Sequence, residues 1–470
     1  MTNRTMQRNP ANLSDLYFNL SELNKDPGHE FYVHSDVEVS TESVCHGRGM
    51  IAMQDIQAGT LLFVTPPTVY SNQGAVQKLF SKNENNDSLK LEEIAMDLLV
   101  DNMWNCIEQE KLSAVNSFLA LMGVSNTKAE QKRVTIDTLN AKDNTEHFTQ
   151  DDLKLISKQD LKNIILKNAF GPDFITYDKI EKQWNESNLT YFPPHMLGIY
   201  PLAAMLNHSC SANAVRSYAG EIMIVHANKI ITAGSEVVWG YIPSTQEFTQ
   251  RRRTLKKRHG FVCMCERCTL ESKQLKSDIL PLTLKYSIDN ASKWNSRLLD
   301  VANSDDLSKR QLCSAYITLE ETVFGSASVS NEVKRFLKIG FTNLHFNYFN
   351  AMLSNLDKAT NAQKQEVREM VLNGATHLHF AFCACNNAST EHLSLLHLCY
   401  ELINAIHQTN SDKTKTIAKV RFWTEQVKKA HLVRYGAMGN DLSCIRNALV
   451  HTRTILRQQD GFLKATYSFL

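Results

Sequence analysis

Cys263-Met264-Cys265-Glu266-Arg267-Cys268 is the stretch on which the reading of this chain turns, together with Asn207-His208-Ser209-Cys210 well upstream of it. Three thiolates at C-x-C-x2-C spacing can reach one metal ion. Tetrahedral structural zinc takes four ligands, so the fourth has to come from elsewhere in the chain. Cys210 is the candidate, and it follows a polar Asn-His pair, while Phe261 stands just ahead of Cys263. The metal would therefore clamp two polar, aromatic-rimmed segments that lie far apart in sequence.

The rest of the chain sets the context for a metal site rather than a disulfide framework. Its 470 residues are enough for two or three domains. The 11 cysteines are an odd number and, this run aside, scattered. The sequence from Met1-Thr2-Asn3 has no apolar signal core and no stretch of membrane-spanning length, so a reducing compartment, cytoplasm and/or nucleus, is expected. Lys+Arg 51 against Asp+Glu 49 leaves +2, and that balance gives no global field for nucleic acid or an anionic membrane.

Residues 1–30 are polar and read as a loose lead-in. Short β-branched and aromatic runs follow: Glu30-Phe31-Tyr32-Val33-His34, Val37-Glu38-Val39, and Leu61-Leu62-Phe63-Val64 after Ala58-Gly59. The same turn-then-strand pattern recurs at Ala233-Gly234-Ser235-Glu236-Val237-Val238-Trp239. In both, the glycine supplies the positive φ a tight connection needs. Two matching units far apart in sequence predict a sheet assembly folded back on itself. Residues 78–168 instead carry three- and four-residue apolar spacing and read as a helical insertion, for example Leu89–Leu99 and Glu110–Leu121. Beyond Cys268 only amphipathic helical segments remain: Leu312–Val323, Val333–Leu353, Gln365–Cys383, Glu391–Ile406, Thr416–Tyr435 and Leu442–Leu456. They predict an all-α region over 275–470, TPR-like but without a strict repeat.

Four segments, in this order, resemble the SET-domain protein lysine methyltransferases and, within them, the SMYD (SET and MYND) branch. They are Gly47-Arg48-Gly49, Tyr200-Pro201 through Asn207-His208-Ser209-Cys210-Ser211-Ala212-Asn213, Glu236 to Tyr241, and Phe261 to Cys268. The resemblance covers about 30–270 and, more weakly, the helical tail. It implies an α+β fold: a β-rich SET domain over 31–258 with a helical insertion, a post-SET zinc segment over 259–270, and the helical domain over 275–470.

It also implies S-adenosylmethionine (SAM) as cofactor, contacted by the loop Gly47-Arg48-Gly49 and by Asn168, Asn207, His208, Tyr241 and Phe261. Tyr241 would be the catalytic residue, and Cys210, Cys263, Cys265 and Cys268 would hold structural zinc. The implied substrate is a protein or peptide lysine. Methyl transfer from a sulfonium is an in-line displacement that needs the amine neutral, aligned and dry. A partner protein could use the helical region; a monomer without direct nucleic-acid binding is expected.

Some residues depart from the family. Residues 71–165 hold a single cysteine, Cys106, too few for a MYND finger. Ala212 replaces a usual proline, Trp239-Gly240 replaces smaller aliphatic and Ser residues, and His259-Gly260 replaces a stretch that often contains tyrosine. These departures keep a second reading open, a non-catalytic scaffold built on a zinc-stabilised SET relic. The basic run Arg251 to Arg258 reads as a solvated helix face, or else as a nuclear-localisation or nucleic-acid patch. Cys383-Ala384-Cys385 reads as helix cysteines on different faces rather than a metal site.

Overall fold

Two Ala-Gly turns face each other at the centre of the β-rich part. In the computed structural model, which describes residues 32–43, 47–71, 88–108, 157–171, 197–219, 222–276, 329–353, 356 and 359–435, Gly59 has φ 87 and Gly234 φ 78. Ile56 and Ile231, ahead of these turns, exchange both backbone hydrogen bonds at 2.8 and 2.9 Å. Gly59 N–H donates to Ala227 O and Gly234 N–H to Ala52 O, each at 2.7 Å. The repeated pattern thus pairs with itself, as the sequence predicts. The lead-in over 1–30 and the segments 110–121, 312–323 and 442–456 lie outside the described residues.

The chain divides into two compact units. The first comprises Met1–Asn207, Asn213–Val238 and Val433–Met438. Its strands are β1 (Val37–Ser43), β2 (Gly47–Ala52), β3 (Leu61–Thr65), β4 (Val69–Tyr70), β5 (Ala169–Phe170), β6 (Gly198–Ile199), β7 (Asn207–His208), β8 (Ala214–Ala219), β9 (Ile222–Ala227) and β10 (Glu236–Trp239). They form three small sheets of order β1-β2-β10-β7, β3-β9-β8 and β4-β6-β5. β2 is antiparallel to both neighbours, with Met50 opposite Val39 on one side and Val237 on the other. Met50, Ala52 and Val237 are fully buried, so this sheet centres on β-branched and unbranched apolar side chains. The predicted insertion contributes helices α1 (Ser88–Glu108) and α2 (Lys158–Asn168), which bury Ala95, Leu99 and Met103 with Leu161 and Ile165. The exposed pairs Lys162–Asp97 and Lys158–Asp101 add little to that apolar contact. A four-residue helix, α3 (Pro201–Ala204), starts on a proline, whose missing N–H is no loss at that position.

The second unit comprises His208–Ala212, Trp239–Leu432 and Gly439–Leu470. It holds α4 (Phe248–His259), α5 (Glu266–Lys276), α6 (Asn331–Gly340), α7 (Thr342–Leu353), α8 (Asn361–Cys385), α9 (Thr390–Thr409) and most of α10 (Thr414–Tyr435). Beyond Cys268 every described element is helical. The single helix predicted over 333–353 is two helices, parted at Phe341. At the break, a Cβ on Gly340 would sit 3.4 Å from Glu247 Cα, in van der Waals contact with that backbone. α4 starts at Glu247, whose carboxylate accepts from Thr249 N–H and Gln250 N–H, and stops at Gly260 with φ 80. Among the described residues no helix is long and apolar enough to cross a membrane.

Candidate functional site

Gly47-Arg48-Gly49 opens strand β2 rather than forming a loop, which corrects the sequence expectation. Pairing with β1 slips between Ser40 and Ser43, opposite this segment. Such an irregularity bends the strand and re-aims its groups. Flanked by two glycines, the Arg48 carbonyl is open to side-chain approach, and it accepts from Asn207 Nδ2 at 2.7 Å. The same Nδ2 donates to Glu236 Oε1 at 2.6 Å. Glu236 is thus the residue that orients the Asn207 amide. Asn213 reinforces it by donating to Glu236 O at 2.8 Å and accepting from Val238 N–H at 2.7 Å. Burial holds the Arg48 guanidinium below its ordinary value. Asn168, the last residue of α2, donates to Ile164 O at 2.9 Å and so caps its own helix.

Within the second unit, three rings cluster around Tyr241. His208 lies 5.3 Å from it between centroids, His259 5.0 Å and Phe261 6.4 Å. His259 therefore belongs to the ring cluster, beside both Tyr241 and Phe261. Tyr241 N–H, just past the end of β10, donates to His208 Nδ1 at 2.9 Å. His208 Nε2 in turn lies 3.3 Å from Cys210 Sγ.

Cys210, Cys263, Cys265 and Cys268 come together as the spacing demands, with all four sulfurs within 4.8 Å of one another. Zinc–sulfur bonds of about 2.3 Å place tetrahedral sulfurs roughly 3.8 Å apart. Cys268 Sγ and Cys210 Sγ stand 3.6 Å apart, so the cluster fits that ion. The hydrogen bonds among the sulfurs push Cys263 far above the ordinary thiol value and Cys265 far below it. Four sulfurs this close share their protons and charge, and thiolate ligation of a divalent cation takes those protons off. Leu255 and Ile242 pack around the cluster.

Behind the sulfurs lies a network that sequence reasoning missed. Arg251 and Arg267, both fully buried, share the Glu271 carboxylate, with Arg267 Nε at 3.0 Å from Oε1 and Arg251 Nη2 on Oε2. Arg251 Nη2 also points at Cys268 Sγ, 3.8 Å away. Arg267 Nη1 donates to Ser244 O at 2.7 Å and to Cys385 Sγ at 3.3 Å, and the Cys385 thiol donates to Cys210 O at 3.2 Å. Burial alone would lower the Arg251 guanidinium, but Glu271 and the sulfurs hold it well above its ordinary value. The i,i+4 spacing of Arg267 and Glu271 was the available signal. Arg251 had none: it sits in a basic run whose Arg253, Lys256, Lys257 and Arg258 are exposed as expected, and it alone of them turns inward.

A second group, His379, Cys383 and His392, also brings its donor atoms within 4.8 Å. It does not offer them. Ala388 N–H donates to His392 Nδ1 at 3.0 Å, which puts that ring's proton on Nε2. Nε2–H then donates to His379 Nδ1 at 2.9 Å, which leaves the His379 proton on its own Nε2. One backbone N–H thus fixes both tautomers and leaves no nitrogen lone pair for a cation.

The SET domain family model matches residues 47–242, from the first residue of β2 to just past Tyr241. Residues 47–242 are a SET domain. The match stops short of Cys263-Cys268. Relatives match parts of the chain, these three among them. Histone-lysine N-methyltransferase ASHR1 of Arabidopsis thaliana is 36% identical over 76 residues, 16% of this chain and 16% of that protein. N-lysine methyltransferase SMYD2-B of Danio rerio is 38% identical over 93 residues, 20% of each. N-lysine methyltransferase SMYD2 of Homo sapiens is 26% identical over 262 residues, 48% of this chain and 59% of that protein. In each case the chain spans less than two thirds of the relative's length. Among solved structures, Rubisco LSMT bound to AdoMet aligns over 97% of both chains at 12% identity, with a TM-score of 0.26, too low to bear on the fold.

Proposed function

We propose that this SET domain is a SAM-dependent protein-lysine N-methyltransferase with a structural zinc at Cys210, Cys263, Cys265 and Cys268. Tyr241 carries the reading: it stands at the end of the SET match, partly exposed, with His208, His259 and Phe261 around its ring. Bound SAM supplies an electrophilic methyl on a sulfonium. The work of the chain is then to bind, orient and exclude water. An amine entering this ring cluster meets apolar faces, which disfavour its charged form and lower its pKa. The Tyr241 hydroxyl can orient the neutral nitrogen as its lone pair forms the new N–C bond and the sulfonium S–C bond breaks. The amine's proton leaves to solvent. Gly47, Arg48, Gly49, Asn168, Asn207, His208 and Phe261 are the proposed cofactor contacts. A protein lysine is the proposed substrate; a monomeric enzyme of the cytoplasm, the nucleus or both completes the proposal.

Label transfer from tritiated SAM to histones or lysate proteins tests this directly. Tyr241→Phe is expected to reduce it by about 10²-fold, the scale of a misplaced reacting group. Absence of SAM binding at millimolar concentration, or transfer indifferent to Tyr241→Phe, would leave the scaffold reading in its place.

A further inference from the structure

We infer that His208 is a positioning residue that ties the tetrathiolate centre to the placement of Tyr241. The inference rests on the methyl-transfer reading of Tyr241, but its geometry stands by itself. A backbone N–H can only donate, so the 2.9 Å bond from Tyr241 N–H makes His208 Nδ1 the acceptor. The neutral ring then carries its proton on Nε2, and that proton faces Cys210 Sγ at 3.3 Å. A metal-bound thiolate keeps lone pairs for such an N–H···S bond. A free thiol, one of four crowded sulfurs, has its own proton to place among its neighbours.

The two ends of the ring therefore do different jobs. One end meets the metal ligand and the other meets the backbone from which the Tyr241 side chain springs. That backbone has little slack of its own. A Cβ on Gly240 would lie 3.3 Å from Ile242 O, so the turn is tight. β10 ends at Trp239, which leaves the Tyr241 amide beyond the ladder. Ser209 N–H donates to Trp239 O at 2.9 Å and pins the His208 side of the same turn. With His208 only 2% exposed, its ring is held among protein groups rather than in water. Metal occupancy fixes Cys210, Cys210 fixes the His208 ring, and the ring fixes Tyr241. Outer-shell groups that hydrogen-bond a metal ligand commonly act in this way.

The 470-residue chain loaded with cadmium-113 in place of zinc tests the link without any turnover. A proton–cadmium correlation through the hydrogen bond is expected on the His208 Nε2 proton of the wild type. Its absence overturns the inference. His208→Asn keeps an acceptor near Tyr241 N–H but cannot reach Cys210. It should abolish the correlation and weaken zinc about 10- to 100-fold in chelator competition; unchanged affinity counts against the inference. In the wild type, chelation of the metal should speed Tyr241 amide exchange about tenfold or more, in line with loss of an ordering hydrogen bond. Unaltered exchange would sever the second half of the link. A parallel SAM titration separates the two readings. No SAM binding with the correlation present sinks the methyltransferase proposal alone, whereas SAM binding without the correlation sinks this one.

Discussion

Two groups of metal-capable side chains stand in the second unit, and what separates them is where their protons lie. Both gather their donor atoms within 4.8 Å. At Cys210, Cys263, Cys265 and Cys268 the four sulfurs face one another, a set whose number and spacing suit a tetrahedral cation. At His379 and His392 a single backbone donor, Ala388 N–H, sets the direction of the hydrogen bonds through both rings. Proximity is common to both. Four donors turned toward one common point are found only in the first, and that convergence is what makes a ligand set.

The largest test of that contrast is metal content. Wild-type protein should carry one zinc per chain, and Cys263→Ser or Cys268→Ser should carry none, by elemental mass spectrometry. Structural zinc sites couple about 10–16 kcal/mol of binding to folding, so these variants should unfold at far lower urea. A second zinc in the wild type that disappears in His379→Ala would erase the distinction.

The outer shell comes next. Glu271→Gln leaves Arg251 and Arg267 buried side by side with no carboxylate, and breaking such a pair costs about 3–5 kcal/mol. Urea titration of the zinc-loaded protein measures it. A loss below about 1 kcal/mol would mean that the neighbouring thiolates already balance both guanidiniums.

These residues also mark how far the sequence could be read. The four cysteines were legible because zinc chemistry dictates ligand number and spacing. The Ala58-Gly59 and Ala233-Gly234 turns were legible because positive φ favours glycine. The SET segments were legible as an ordered set, but Gly47-Arg48-Gly49 as a strand was not: a G-x-G looks like a turn until the pairing with β1 is seen. Arg251 was unreadable for a different reason. In a run of basic residues, helical phase decides which one turns inward, and the partner, Glu271, lies on another helix. Glu236 offered a hint, a carboxylate in an apolar strand, but its role depends on Asn207, which is distant in sequence.

Acid should separate the two groups further. Burial holds the His379 imidazole down at about 4, against an ordinary value near 6.5. Above 6.5 neither the folded nor the unfolded chain protonates it, and the stability it contributes is present in full. As pH falls below 6.5 the unfolded chain gains a proton that the folded chain refuses, so stability declines until the folded ring protonates near 4. The whole window is worth about 3 kcal/mol. Burial acts on His392 in the same direction. Urea titrations of wild type and His379→Gln across this range should differ in slope, the variant falling less steeply by up to about 1.4 kcal/mol per pH unit. Because both proteins keep the four cysteines, acid release of zinc is common to the pair and drops out of the difference. Equal slopes would mean that the His379 ring titrates as if exposed.

The smallest effect is the most discriminating for the second group. Cys383 lies two residues from Cys385, yet on a helix that spacing sends the two thiols to different faces. Cys385 is buried against Arg267 and Cys210 O, while Cys383 reaches the surface, 3.8 Å from the His379 ring. Cys383 stands beside a ring whose nitrogens are already engaged. Cys383→Ser should therefore change stability by less than about 0.5 kcal/mol, the range of ordinary surface substitutions, and leave metal content at one zinc. Cys385→Ser, by contrast, alters a thiol that bridges the zinc segment and α8, and should be the costlier of the two. If Cys383→Ser instead loosened metal or destabilised by more than its neighbour, the second group would have to be read as a site.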